Sequence, residues 1–294
     1  MEINNNQSIE NENYLSPETP EPRTDLPVWI HPDSPPWNSL VALGVWLFSI
    51  FALVILVNVA VLVYALANKI NLAQIGEVIQ KQTDPNILLI SILTTIPAHF
   101  LTIGVVWLVV TRAGKFPFWQ TLGWNWGEKF GFWASLGTAV GFFVLASLLI
   151  SLFGETENDL MRILRSSRSA VYATAFLATF TAPLVEETVY RGVMYSAFRR
   201  TFGNVGSVAL VTLLFALIHV PQYYPSYGVI LAILLLSLVL TTVRAWTGNL
   251  LPCVVIHTIF NGVQSILLIV EPFLPKTNAP AEVPSVFILP FLFK

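Results

Sequence analysis

The sequence predicts an all-α polytopic transmembrane helix bundle of about seven spans, eight if boundaries shift, and three observations carry that expectation. Of 294 residues, 55% are hydrophobic and 11% charged, with a mean hydropathy of +0.69, far from the balance of a soluble domain. The apolar residues come in long runs, each near the roughly 20 residues that cross a hydrocarbon core as a helix. Between two of these runs stand Trp119, Trp124, Trp126 and Trp133 with Arg112, Lys115 and Lys129, the mixture found where a helix meets the membrane surface. The formal net charge of -2 gives no footprint for nucleic acid as a partner. A sole cysteine, Cys253, excludes an intrachain disulfide and a Cys-based zinc finger.

Met1 to about Trp37 is polar and proline-rich, with seven acidic residues against the single base Arg23. Such chain buries too little apolar surface to offset its ordering entropy, so residues 1–37 are expected to be a disordered tail on a transmembrane domain of residues 38–294. The tail lacks the basic start and apolar core of a secretory signal. The first apolar helix, about 40–67, is then the insertion signal and stays in the protein. Further spans are expected at about 86–111, 130–153, 170–198, 203–220, 228–243 and 250–270. Residues 155–169, with Arg162, Arg165 and Arg168, are too polar to span and read as a surface helix. Residues 285–293 are apolar but too short to cross, which suits an interfacial or re-entrant segment. Lys and Arg fall equally on the two sides, so charge bias assigns no orientation. The whole reads as a multi-pass protein of the cell membrane, with lipids as its first partners.

Within these spans the formal charges are concentrated in one place, Glu186, Glu187 and Arg191. A charge at the centre of a membrane helix costs roughly 2.5–3.5 kcal/mol on insertion scales, so such residues pair with one another or line a functional cavity. Glu187 and Arg191 are four apart, the spacing of a self-contained structural ion pair. Glu186 is turned about 100° away from Glu187 on a regular helix and is left to face something else. Two histidines stand on later spans. His219 shares a face with Phe215, and His257 shares one with Asn261. A bundle that turned these faces inward would gather a carboxylate, two imidazoles and an amide from three helices. His99, which follows Pro97 in the second span, reads as a packing or cavity residue, and Cys253 as a small buried side chain.

Glu-Glu-x-x-x-Arg, Phe-x-x-x-His and His-x-x-x-Asn on successive apolar helices resemble the three motifs of the CPBP family, which includes type II CAAX prenyl endopeptidases, abortive-infection-like proteins and bacteriocin-processing relatives. The resemblance covers about residues 170–261, with Ala-Pro before the glutamates, Arg-Gly after them and Thr247-Gly248-Asn249-Leu250 ahead of the last histidine. It implies a protease core at about residues 170–270 and an intramembrane endopeptidase acting on a membrane-associated or lipidated peptide or protein. By the same resemblance Glu186, His219, His257 and Asn261 are the active-site positions. Two mechanisms fit them. In one, Glu186 and His219 activate a water while His257 and Asn261 donate to the oxyanion, with no cofactor. In the other, Glu186, His219 and His257 bind Zn²⁺ as in a metalloprotease, three ligands leaving a position for water. The sequence contains no His-Glu-x-x-His for a zincin-like site, no Gly-x-Ser-Gly for a serine nucleophile and no intramembrane aspartate pair. The rival from another class is a non-catalytic scaffold or immunity-type protein of the same fold. A proton-relaying transporter would need polar residues spread along a pathway, which these spans do not offer.

Overall fold

Helix starts and stops trace to identifiable residues. The structure, a computed structural model, describes residues 32–71, 73, 84–128, 130–153 and 167–273. Helix α1 (Ser39–Ala67) opens on Asn38, whose side chain accepts from Val41 N at 2.9 Å. Helix α2 (Pro85–Thr111) opens on Asp84, which accepts from Asn86 N, with Pro85 in the first turn where no donor is lost. A short helix α3 (Phe118–Thr121) leads to α4 (Phe132–Phe153). After it a helical stretch of 56 residues runs Arg168–Tyr223, opened by the Ser167 side chain accepting from Ala170 N. Helices α7 (Tyr227–Thr247) and α8 (Leu251–Val270) complete the bundle. Among the described residues there is no strand.

Six of these helices are long and apolar enough to cross a membrane. The 56-residue stretch is two of the expected spans in one. As straight helix it would measure about 84 Å against a hydrocarbon core of about 30 Å. It turns at Gly203, whose φ of 68 and ψ of -178 only glycine adopts without strain. Taking that corner as a boundary, α5 is residues 168–202 and α6 residues 204–223. The six helices then supply seven crossings, the number the apolar runs predict.

Helices in hydrocarbon are held by packing and interhelical hydrogen bonds, because lipid is as apolar as leucine. Two buried clusters do the packing. One joins α1, α2, the second half of α5 and α6 through residues such as Val45, Val106, Val193 and Phe215. The other joins α4, α7 and α8 through Phe142, Leu236, Cys253 and Phe260. Gly228 lets α7 approach α4 closely, since a Cβ there would sit 3.1 Å from the Ile150 Cα. Large exposed side chains such as Phe51, Phe100, Leu152 and Ile266 form the face left for lipid.

Residues 32–37 of the expected tail are part of the packed structure. Trp37 is buried and its Nε1 donates to Val193 O at 3.0 Å. Arginines hold the same segment from outside: Arg200 Nη1 donates to Pro35 O and Arg112 Nη2 to Pro36 O, both at 2.8 Å, while Asp33 pairs with Arg199. The composition of the tail hid one aromatic anchor. The rest of the tail, residues 155–166 of the expected surface helix and the segment 285–293 with its optional eighth crossing lie outside the described residues.

Candidate active site

The helix that carries the glutamates is not a regular α-helix. It widens into π turns at Leu177–Thr181 and Thr188–Met194, on either side of Ala182–Glu187. Such turns bond five residues back and recur at functional sites. Pro183 explains how the first is completed. Ala182 N–H donates to Leu177 O, five residues back. The next rung would run from Pro183 to Ala178 O, but proline has no N–H. Asn261 Nδ2 fills that place, donating to Ala178 O at 2.9 Å from α8. The amide predicted to serve the reaction therefore also ties α8 to α5, with its second amide hydrogen left over.

Glu187 is fully buried and its Oε1 is shared. Arg191 Nη1 donates to it at 2.9 Å, as the four-residue spacing predicts, and His257 Nδ1 stands 2.8 Å from the same oxygen. Arg191 reaches onward to α7: Nη2 donates to Ser237 Oγ at 2.7 Å and to Ser237 O at 3.1 Å, and Nε to Thr241 Oγ1 at 3.2 Å. Its guanidinium lies 4.6 Å over the Phe215 ring. The buried cation is tolerable because each of its nitrogens finds an acceptor in this way, while Glu187 Oε2 is buried with no hydrogen-bond partner among the described residues.

One buried cation was missed by the sequence reading. Arg244, assigned to the loop after a span ending near Val243, lies inside α7 and is fully buried. Its Nε donates to Arg191 O at 3.1 Å and its Nη2 to Ser196 Oγ at 3.2 Å, while Nη1 stands 3.6 Å from Asp33 Oδ1. The statement that Glu186, Glu187 and Arg191 are the only charges in the spans is corrected accordingly. Hydropathy ended the span early because arginine lowers it. The available signal was the polar stripe Ser237, Thr241, Arg244 at helical spacing in an otherwise apolar run. We expect Arg244→Met to lower unfolding stability by about 2–3 kcal/mol, since it removes charged hydrogen bonds to Arg191 O in the π turn and to Ser196 Oγ just after it. Equilibrium unfolding in detergent checks this, and an unchanged midpoint would remove Arg244 from the framework.

Both histidine rings are oriented through Nδ1. His219 Nδ1 stands 2.7 Å from Phe215 O, and a carbonyl oxygen only accepts, so that nitrogen carries the proton. His257 Nδ1 likewise donates to the Glu187 carboxylate. Nε2 is therefore the working nitrogen of each ring. His257 Nε2 stands 3.9 Å from Glu186 Oε2, beyond direct hydrogen-bond range. Glu186 is 24% exposed where Glu187 is closed off, and it faces a cavity of about 240 Å³. Glu186, His219, His257 and Asn261 all line it, with Phe215 and Tyr223 among the aromatic parts of its wall. The four predicted positions thus come together from α5, α6 and α8. His99 is not among the residues that line the cavity, its Nδ1 standing 3.0 Å from Thr181 Oγ1, and Cys253 is buried with its thiol donating to Leu240 O at 3.3 Å.

The zinc alternative needs Glu186, His219 and His257 gathered as ligands. Among the described residues no three His, Cys, Asp or Glu stand where they could hold a metal ion, so this donor set does not fit one as arranged.

The three motifs and the cavity they line all fall in one segment. Residues 168–263 match the Rce1-like family model, described as type II CAAX prenyl endopeptidase Rce1-like. The resemblance read from the motifs is borne out over this Rce1-like segment, which contains α5 to α7 and most of α8. No curated protein and no solved structure matches the chain. The long apolar helices support a multi-pass membrane protein, and residues 168–263 within it are similar to type II CAAX prenyl endopeptidases.

Proposed function

We propose that this chain is an intramembrane endopeptidase that hydrolyses a peptide bond in a membrane-associated, lipid-modified peptide or protein of the cell membrane. The reading rests above all on one observation: Glu186, His219, His257 and Asn261 reach a single cavity from three helices. Glu186 and His257 Nε2 stand 3.9 Å apart, a gap suited to a bridging water. In the proposed reaction the Glu186 carboxylate, with His219 Nε2, takes a proton from that water as its oxygen bonds to the scissile carbonyl carbon. The oxyanion accepts from the free amide hydrogen of Asn261 and, when His257 is protonated at Nε2, from that nitrogen. The abstracted proton passes to the leaving nitrogen as the C–N bond breaks. A positioned base of this kind supplies about 10²–10⁴-fold and one oxyanion donor about 10²–10³-fold. Glu187 acts through His257, whose ring it orients.

The reading is tested with the purified chain in liposomes and an internally quenched peptide carrying an S-farnesyl cysteine. Cleavage with the products identified by mass spectrometry, falling about 10²–10⁴-fold in His219→Ala, is expected. A strong chelator should leave the rate unchanged. Wild type that binds such peptides and never cuts them would move the assignment to a binding scaffold.

A further inference from the structure

The cavity extends well past the cluster of Glu186, His219, His257 and Asn261. Its wall on α5 runs from Thr174 to Glu186, about 18 Å of helix at 1.5 Å per residue. Along α8 it continues from His257 and Asn261 to Gln264 and Leu268. The two helices are antiparallel, as three contacts show: His257 meets Glu187, Asn261 meets Ala178, and Ser265 Oγ donates to Ala175 O at 3.3 Å. Thr174 and Gln264 are the sequence neighbours of that last pair and therefore stand at the same level of the cavity.

These two differ from the polar residues around them. Ser265 is engaged twice, accepting from Thr179 Oγ1 at 2.9 Å and donating to Ala175 O. Among the described residues, neither the Thr174 hydroxyl nor the Gln264 carboxamide makes a hydrogen bond, and both are only half-buried, on the cavity wall. A carboxamide offers both N–H and C=O, the complement of a peptide group, and a hydroxyl can also donate or accept. A peptide drawn into a cavity at membrane depth needs such partners, because its backbone groups find no bulk water there. Distance sets the register. Gln264 lies seven residues beyond His257 on the same face, about 10 Å along the helix. An extended chain rises about 3.3 Å per residue, so this level is about three residues from His257 measured along α8 and about five from Glu186 measured along α5.

We infer that Gln264, with Thr174 on the opposite helix, forms a subsite for an uncharged peptide group about three to five residues from the scissile bond. The inference rests on the protease reading. The polar groups at this level are neutral, which suits an internal peptide group over a terminal carboxylate.

The test uses the full chain in liposomes and S-farnesyl quenched peptides shortened one residue at a time on either side of the cleaved bond. In wild type, kcat/KM should fall about tenfold when one residue, the third to fifth from the bond on one side, is removed, the worth of one peptide hydrogen bond. Gln264→Leu should start about tenfold lower, through KM with kcat little changed, and should not respond to that shortening. Thr174→Val carries the same comparison if Gln264→Leu folds poorly. An equal shortening penalty in wild type and both variants overturns the subsite and leaves the protease reading standing. A wild-type preference for a free acid over an amide at that residue, lost in Gln264→Leu, overturns the neutral-group assignment. No wild-type cleavage of any peptide removes the protease reading and the subsite with it.

Discussion

Glu186→Gln is expected to reduce cleavage by about 10²–10⁴-fold while leaving a folded protein with unchanged membrane insertion. The expectation follows from what Glu186 does not hold. Among the described residues its side chain makes no hydrogen bond, its nearest ionisable neighbour being His257 Nε2 at 3.9 Å, and it opens on the cavity where the adjacent Glu187 is sealed. Replacing a carboxylate by an isosteric carboxamide removes the base and strands no other group, so stability should stay within about 0.5 kcal/mol. Cleavage rates on the farnesylated peptide, taken with thermal unfolding of the same preparations, check both halves. Full activity in Glu186→Gln would take the base assignment away from this residue. A folded, inactive Glu186→Gln protein would also serve to capture native substrates, since the cavity keeps its shape.

The membrane spans were legible because hydropathy measures the property that sets them. Each apolar run became a helix within a few residues, and the corner between α5 and α6 fell at Gly203, where the two runs meet. The Glu187–Arg191 pair was legible because both partners lie on one helix. What stayed hidden was the contact between helices. His257 is 70 residues from Glu187, and no pattern within either helix says that they meet. The π turns were equally hidden, although Pro183 marked the place where a regular ladder fails and Asn261 turned out to repair it. Arg244 was lost to a boundary rule. A hydropathy window ends a helix where a cation begins, yet this cation is hydrogen-bonded from inside the bundle and faces the Asp33 carboxylate in a segment composition had marked as unfolded.

Glu187→Ala is expected to cost about 3–5 kcal/mol of stability, because it leaves Arg191 buried at 0% exposure without its carboxylate. Stability alone would make Glu187 a structural residue, as its spacing from Arg191 suggests. The 2.8 Å contact with His257 Nδ1 assigns it a second task, fixing which way that ring turns its Nε2. The two tasks separate in a double variant. Adding Arg191→Met to Glu187→Ala removes both charges, and replacing a whole buried pair by apolar groups is often neutral or better. Ser237 O, which Arg191 would abandon, still accepts from Thr241 Oγ1 at 2.7 Å, so on α7 the buried Ser237 hydroxyl is the main group left without its partner. Most of the lost stability should therefore return in the double variant. Cleavage should not, remaining about 10–100-fold below wild type because nothing orients the His257 ring. Unfolding free energies for the full cycle, measured beside kcat and KM, give the comparison. Recovery of activity together with stability would reduce Glu187 to a counter-ion for Arg191 and take it out of the reaction.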